Sequence, residues 1–282
     1  MSRRAAFAIA VPAILVPAAL FALLAPPPVP PPAELHGDSF AHSSPAYARL
    51  IARHVRDGTI EGVSLKVVDY ASIAEDPDYG RALAELAEAR PDAMRREERM
   101  AFWINAYNLL AIRLVADRYP VEGILEIGSD HENGLHMVAG TAAGREVSLT
   151  WIEDELRREF SDPRVHFALV AAAVSCPDVR VYDAEGLDAE LEDAARAFLA
   201  NDHRGARVTS DGVDVSRLVL GSHEEFEALG GAMAYLRSHA PPRVAARLED
   251  LRLHDLGKLP YDWSLNDAAR ASLAGGPAGN GR

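Results

Sequence analysis

Phe102 to Asn108 read FWINAYN, and this run sets two carboxamides, Asn105 and Asn108, in an otherwise apolar segment. Its flanks, Met100-Ala101 and Leu109-Leu110-Ala111-Ile112, leave no wide polar face, so the spacing predicts a buried helix. Residues three apart lie on one side of a helix, which puts Asn105 and Asn108 together with Phe102 and Ile112. Each amide carries donors and an acceptor that cost free energy if left dry. Polar groups from elsewhere in the fold must therefore meet them. They either hold loop main chain or line a cleft as oxyanion donors or substrate clamps.

The N-terminus bears on where the protein works. Met1-Ser2-Arg3-Arg4 precedes an uncharged apolar run from Ala5 to Ala25. A helix of about 21 residues spans ~31 Å, enough to cross a bilayer. Arg3 and Arg4 predict that this end stays cytoplasmic and the remainder is exported. Residues 1–25 read as a signal peptide or an N-terminal membrane anchor. Pro12 and Pro17 favour the first, while Leu23-Leu24-Ala25 followed by Pro26 is a poor cleavage site. Residues 26–38, with PPPVPPP at their head, read as a stiff extended linker. Residues 39–273 suit one domain with a sizeable core, and the glycine-rich 274–282 reads as a disordered tail.

The formal net charge is −13, and removal of Arg3 and Arg4 leaves −15. So acidic a domain is a poor partner for nucleic acid, and it meets membrane only through its N-terminal segment. Cys176 is the single cysteine, which rules out an intramolecular disulfide. A lone thiol in an oxidising compartment is either buried or chemically employed.

Periodicity and capping signals predict helices over Ala46 to Val55, Asp78 to Ala89, Glu97 to Arg118, Leu187 to Ala200, Glu224 to Arg237 and Arg243 to Leu251. Thr150 and Glu153 have capping-box spacing, opening a further helix to Phe160. Leu135 to Ala139 and Arg145 to Val147 read as a hairpin turning across Gly140 to Gly144. A second hairpin over Arg207 to Leu220 turns at Asp211-Gly212. Val165 to Val174 is continuously apolar, a buried strand or a short helix. No βαβ alternation appears. The expected class is α+β: a mainly helical single domain with short antiparallel strands and hairpins around a buried central helix.

Several separated blocks, in order, resemble a known family. They are FWINAYN, Ser148-Leu149, Ile152-Glu153, Arg158, Asp162 to Leu169, Ser175-Cys176-Pro177 and Tyr261 to Asn266. The chain is similar, over about Glu97 to Asn266, to the domain of unknown function 547 family. The resemblance implies little chemistry, because no activity is settled for the family. It departs from the family pattern at Asp154 and Ala171, where many members carry histidine and cysteine. Some members have serine in place of Cys176.

Cys176 sits in a Ser-Cys-Pro turn after the apolar run, and a cysteine hydrolase needs a thiolate, a nearby base and an oxyanion donor. His166 is the histidine that the resemblance marks, and Glu153 is the candidate to orient it. Arg158 is a candidate to hold a substrate carboxylate or phosphate. Glu153 and Arg158, five apart, do not pair along one helix, so each needs a partner elsewhere. A ten-residue strand would set Cys176 about 30 Å from His166, so the two meet only if the chain folds back between them. In the closing YDWSLN block, Trp263 and Leu265 read as buried. Asp262 and Asn266 make local hydrogen bonds or reach the FWINAYN amides, which makes all four candidate substrate-binding groups. Asp130-His131-Glu132 with His136 has zinc-type ligands but a turn-like spacing, so no metal site is assigned. No Gly-rich phosphate cradle follows a strand, and no cofactor is expected.

Two functions follow. One is a non-catalytic envelope module that binds a small molecule or an envelope protein through a cleft walled by the FWINAYN helix, with Cys176 buried and inert. The other is a cysteine-dependent hydrolase or acyl-transfer enzyme acting outside the cytoplasm, with an imidazole within about 4 Å of Cys176.

Overall fold

Ser44 stops the chain from running straight into its first helix. Its hydroxyl accepts the Tyr47 N–H at 3.1 Å while Pro45 supplies a preset helical φ, opening α1 (Pro45–His54). The structure, a computed structural model, describes residues 44–129 and 131–273. The readings for 1–25, 26–38 and 274–282, and for Asp130, fall outside those residues.

After α1 comes a hairpin that helical periodicity does not signal. β1 (Val55–Ile60) pairs antiparallel with β2 (Val63–Val68) around Glu61-Gly62, at φ 48° and 86°. Positive φ at both turn positions matches the twist of the strands, and glycine meets half of that demand at no steric cost. α2 (Pro77–Glu88) starts on Asp76, whose carboxylate accepts the Asp78 N–H at 2.8 Å. α1 and α2 are tied by ions: Arg49 forks Asp78, while Arg53 bridges Asp76 and Asp78.

The FWINAYN segment lies in α3 (Arg96–Ala116), whose residues are buried without a break from Met100 to Ile112. Glu97 and Glu98 in its first turn face the positive end of the helix dipole, and Asp117 ends it ahead of Pro120. The packing of this rod against α4, α2's neighbours and the loops after it forms the main core.

The hairpin that follows is shifted relative to expectation. β3 is Gly140–Ala142, not Leu135 to Ala139, and pairs with β4 (Arg145–Val147). The turn is Ala143-Gly144, at φ 52° and 72°. A side chain at Gly140 would come within 2.6 Å of Leu110 and 2.4 Å of the Arg113 guanidinium, so its bareness lets β3 lie against α3. α4 (Leu149–Phe160) is capped by Ser148, which accepts the Trp151 N–H at 3.0 Å. Thr150 is inside the helix instead, and its hydroxyl donates to the Leu135 carbonyl at 2.9 Å.

Val165 to Val174 is neither strand nor α-helix. A 3-10 turn, Pro163–Phe167, is followed by buried irregular chain with Ala172 at φ 57°. Apolar composition drives burial, but the main-chain partners here are a side-chain amide and the C-terminal segment, not a ladder.

α5 (Leu187–Leu199) leads to the hairpin of β5 (Ala206–Val208) and β6 (Val213–Val215), which does turn through Asp211-Gly212. The strands are shorter than Arg207 to Leu220, because Ser216 caps α6 (Arg217–Gly221). The helix expected over Glu224 to Arg237 is broken. A 3-10 turn, His223–Leu229, gives way at Gly230-Gly231, φ 87° and 91°, to α7 (Ala232–His239). α8 (Pro242–Leu248) is followed by a 3-10 turn, Leu253–Asp255. β7 (Gly257–Lys258) joins β6 as the one parallel pairing among the described strands, and β8 (Ser272–Leu273) pairs antiparallel with β1. The domain is mainly helical α+β, with short antiparallel sheets around the buried α3. No helix among the described residues is long and apolar enough to cross a membrane.

Candidate functional site

Both amides of α3 hold main chain. The Asn105 carboxamide donates to the Tyr182 carbonyl at 2.8 Å and accepts the Tyr182 N–H at 3.0 Å. Asn108 donates to the Ala168 carbonyl and accepts the Val170 N–H, both at 2.9 Å. Each is 1% exposed. The helix thus pins two irregular segments, 168–170 and 182, that have no ladder of their own. The groups that would clamp a substrate are engaged inside the fold, and α3 does not wall an open cleft with them.

The segment pinned by Asn108 runs on to Cys176, and the YDWSLN block lies alongside it. Ala173 bridges antiparallel to Leu265. The Asn266 N–H donates to the Ala172 carbonyl, the Val174 N–H to the Ser264 carbonyl, and the Ser175 N–H to the Asp262 carbonyl. In return the Asp262 N–H donates to the Ser175 hydroxyl at 2.8 Å. This zipper sets the Tyr261 hydroxyl 3.3 Å from the Cys176 sulfur. From the other side, Arg204 donates to the Cys176 carbonyl at 2.7 Å, to Asp178 at 2.9 Å and to the Ser64 carbonyl at 3.1 Å.

His166 is brought to Glu153, as expected, but the closer carboxylate is another one. Nε2 is 3.0 Å from Glu225 and Nδ1 is 3.9 Å from Glu153. Arg157 completes the set, 2.8 Å from the second Glu225 oxygen. Asp162 caps the 3-10 turn that presents His166, accepting the Arg164 N–H at 3.0 Å. Both imidazole nitrogens therefore face carboxylates. Among the described residues no histidine hydrogen-bonds the Cys176 sulfur, whose side-chain partner is a tyrosine.

The electrostatics link the two clusters. Burial pushes the Cys176 thiol up from its ordinary 9.0, against smaller opposite pulls from Tyr261 and the adjoining main chain. Burial also pushes up the phenols of Tyr107 and Tyr261. The charges of Glu153 and of a Cys176 thiolate add to both shifts. The Glu153 carboxyl is pushed up by partial burial, against the pull of His166 and Arg157. Tyr107, on α3, thus feels both the thiol and the Glu153 carboxylate. Perturbed groups gather in this way at functional sites, though structural networks do the same.

Other candidates lie outside these clusters. Arg158 is 69% exposed and pairs with Glu155 on its own helix, so the partner sought elsewhere is three residues away. Asp262 makes the local bond expected of it, accepting the Ser264 N–H at 2.9 Å. Asn266 instead accepts the Tyr70 hydroxyl at 2.6 Å, and neither it nor Asp262 bonds the α3 amides. Leu265 is buried, but Trp263 is 37% exposed, its ring tilted against that of Tyr261 at a centroid distance of 4.6 Å. That ring covers the tyrosine from outside rather than filling the core. His136 Nδ1 lies 3.0 Å from the Thr150 hydroxyl. Among the described residues no group of three acidic, histidine or cysteine side chains is placed to hold a metal.

Sequence reasoning did not single out Tyr107, Tyr261, Arg204 or Glu225. Tyr107 and Tyr261 stood inside recognised blocks, which was a usable signal. Arg204 and Glu225 had none, since each lies in a polar stretch, NDHRG and SHEEFE, that ordinarily reads as surface.

Fold and site together define a mainly helical α+β domain that holds a buried thiol–tyrosine pair and a carboxylate–imidazole cluster. Residues 91–199 match the family model described as "Protein of unknown function, DUF547", and the chain carries a domain of that family. The match includes α3, His166 and Cys176. It ends before Glu225 and Tyr261, which complete the cluster and the pair. No curated protein and no solved structure matches the chain.

Proposed function

We propose that this chain is an exported or membrane-anchored envelope protein whose domain is a non-catalytic binding module. The observation that carries the second part is the state of Cys176. It is 2% exposed, its thiol is pushed up by burial, and its hydrogen-bond partner is the Tyr261 hydroxyl. A cysteine nucleophile needs the reverse, a thiolate favoured at neutral pH with a base at hand. His166 lies between Glu153 and Glu225, which suits a structural clamp joining α4 to the 3-10 turn at His223–Leu229. Arg3 and Arg4 ahead of the Ala5 to Ala25 apolar run support export, as a signal peptide or an anchor.

A cysteine-dependent hydrolase or acyl-transfer enzyme is the second reading. It is favoured by Glu153 and Cys176 acting on the same two tyrosines, and by the αL backbone of Ala172, four residues before the sulfur. Alkylation of the folded full chain with iodoacetamide at neutral pH separates the two. The binding module requires protection of Cys176 until denaturant is added. Alkylation faster than that of a free thiol removes this reading in favour of the enzyme. N-terminal sequencing of the fractionated protein tests export and tells a cleaved signal from an anchor.

A further inference from the structure

We propose that the groove between α6, β7 and the 3-10 turns at 223–229 and 253–255 binds a free single-chain anionic amphiphile. Its ligand would carry one carboxylate or phosphate head and an apolar tail. The groove has a volume of about 760 Å3, within the range of small-molecule sites. Leu220, Leu253 and Leu256 line it, and no carboxylate does. Arg217, Lys258, His223 and His254 complete the wall. In a chain of net charge −13, four basic side chains around an apolar floor are a local inversion of sign.

The cations are also available. Neither Arg217 nor Lys258 has an ion-pair or side-chain hydrogen-bond partner among the described residues, although most arginines of this domain do. The nearby Asp214 is engaged by Arg207 at 2.8 Å, and Asp255 accepts the Arg252 N–H at 2.9 Å and lies 3.4 Å from His254. His223 Nδ1 lies 2.9 Å from the Leu220 carbonyl, which can only accept, so Nδ1 carries a proton and Nε2 has no partner among the described residues. Unpaired cations beside the half-buried Leu220 and Leu253 are complementary to a head of opposite charge joined to a tail. A cationic amphiphile fails the head, and a bare anion leaves the floor wet.

This inference rests on the binding-module reading and names its ligand. Its test is separate from thiol alkylation, so either can fail alone. The full chain and an Arg217→Gln/Lys258→Gln double variant are titrated calorimetrically with dodecanoate below its micelle concentration. Both replaced side chains are exposed and unpartnered, so unchanged thermal melting confirms that the variant folds. The difference between the two proteins is read, which cancels uptake by the apolar N-terminal run. The expected result is saturable binding that weakens about tenfold in the variant, with inorganic phosphate and dodecyltrimethylammonium binding more weakly still. Equal binding of dodecyltrimethylammonium, equal binding by the variant, or no dodecanoate binding each overturns the proposal. Phosphate binding as tight as that of dodecyl phosphate also overturns it. Capture of phosphatidylglycerol vesicles without dodecanoate binding would assign the groove to a membrane surface instead.

Discussion

The Cys176 sulfur and the Tyr261 hydroxyl lie 3.3 Å apart, although 85 residues separate them in the chain. The contact exists because the YDWSLN block zips onto 172–175 through main-chain bonds and the Ser175 hydroxyl. It places a polar cover over the thiol without giving it a base. The tyrosine favours the thiolate slightly, while burial opposes it more strongly.

Removing that hydroxyl therefore makes the thiol weaker as an acid, not stronger. Tyr261→Phe keeps the ring and is expected to destabilise the domain by about 1 kcal/mol, the ordinary net worth of one hydrogen bond. Native-state alkylation of Cys176 at neutral pH should be no faster than in wild type. An accelerated reaction would mean that the hydroxyl restrains the thiol rather than assisting its ionisation.

Asn105 answers both main-chain groups of Tyr182. Each buried group left without a partner costs about 1–3 kcal/mol, so Asn105→Ala, which strands two, is expected to lower unfolding free energy by about 2–6 kcal/mol. Urea denaturation followed by circular dichroism measures this. A loss below ~1 kcal/mol would show that the 182 segment finds water or other partners.

Arg204 is buried and joins the Cys176 carbonyl, the Ser64 carbonyl and Asp178. Arg204→Met takes the donor from the Cys176 carbonyl and the counter-charge from Asp178, while Asn201 still donates to the Ser64 carbonyl and the Lys66 N–H to Asp178. The cost of removing one member of a buried pair is about 3–5 kcal/mol, and the lower end is expected because Asp178 is partly exposed. Arg204→Lys should recover only part of the loss, since one ammonium cannot span the fork. Full recovery by lysine would make the site a simple point charge.

Acid should weaken the α1–α2 junction in a defined window. Hydrogen bonds from Arg53 and then His54 hold the Asp76 carboxyl down from its ordinary 3.8 to about 2. A depressed carboxyl contributes stability that is complete above its unfolded value and lost as pH falls through its folded one. Asp76→Asn keeps the helix cap but not the charge. The stability gap between wild type and this variant should be constant above about pH 5 and narrow between about pH 4 and 2. A gap that does not change with pH would assign the contribution of Asp76 to capping alone.

Much of the secondary structure was legible because its causes are local. Ser44-Pro45, the α2 periodicity and the Asp211-Gly212 turn each act within a few residues, and each element formed where its signal lies. Gly230-Gly231 was equally local and still broke the helix expected across it, since two left-handed residues outweigh the flanking periodicity. The β1–β2 hairpin went unread because β1, VRDGTI, alternates weakly and the turn begins with glutamate, although Val63 to Val67 alternates cleanly. Among the site residues, Cys176, His166 and Glu153 were picked out by residue type and by family resemblance. Arg158 was not recognisable as a surface residue, because its pairing with Glu155 competes with any role at a distance.

The sequence by itself determined that one apolar helix, carrying two carboxamides, would be buried at the centre of an α+β domain. Periodicity and the cost of dry polar groups suffice for that. Only the tertiary structure decided what meets those groups: Tyr182 for Asn105, the 168–170 loop for Asn108, Glu225 for His166 and Tyr261 for Cys176. These partners lie 59 to 85 residues away along the chain. The physical reason is that hydrogen-bond demand is a property of each residue, whereas its satisfaction depends on which distant segments packing brings within about 3 Å.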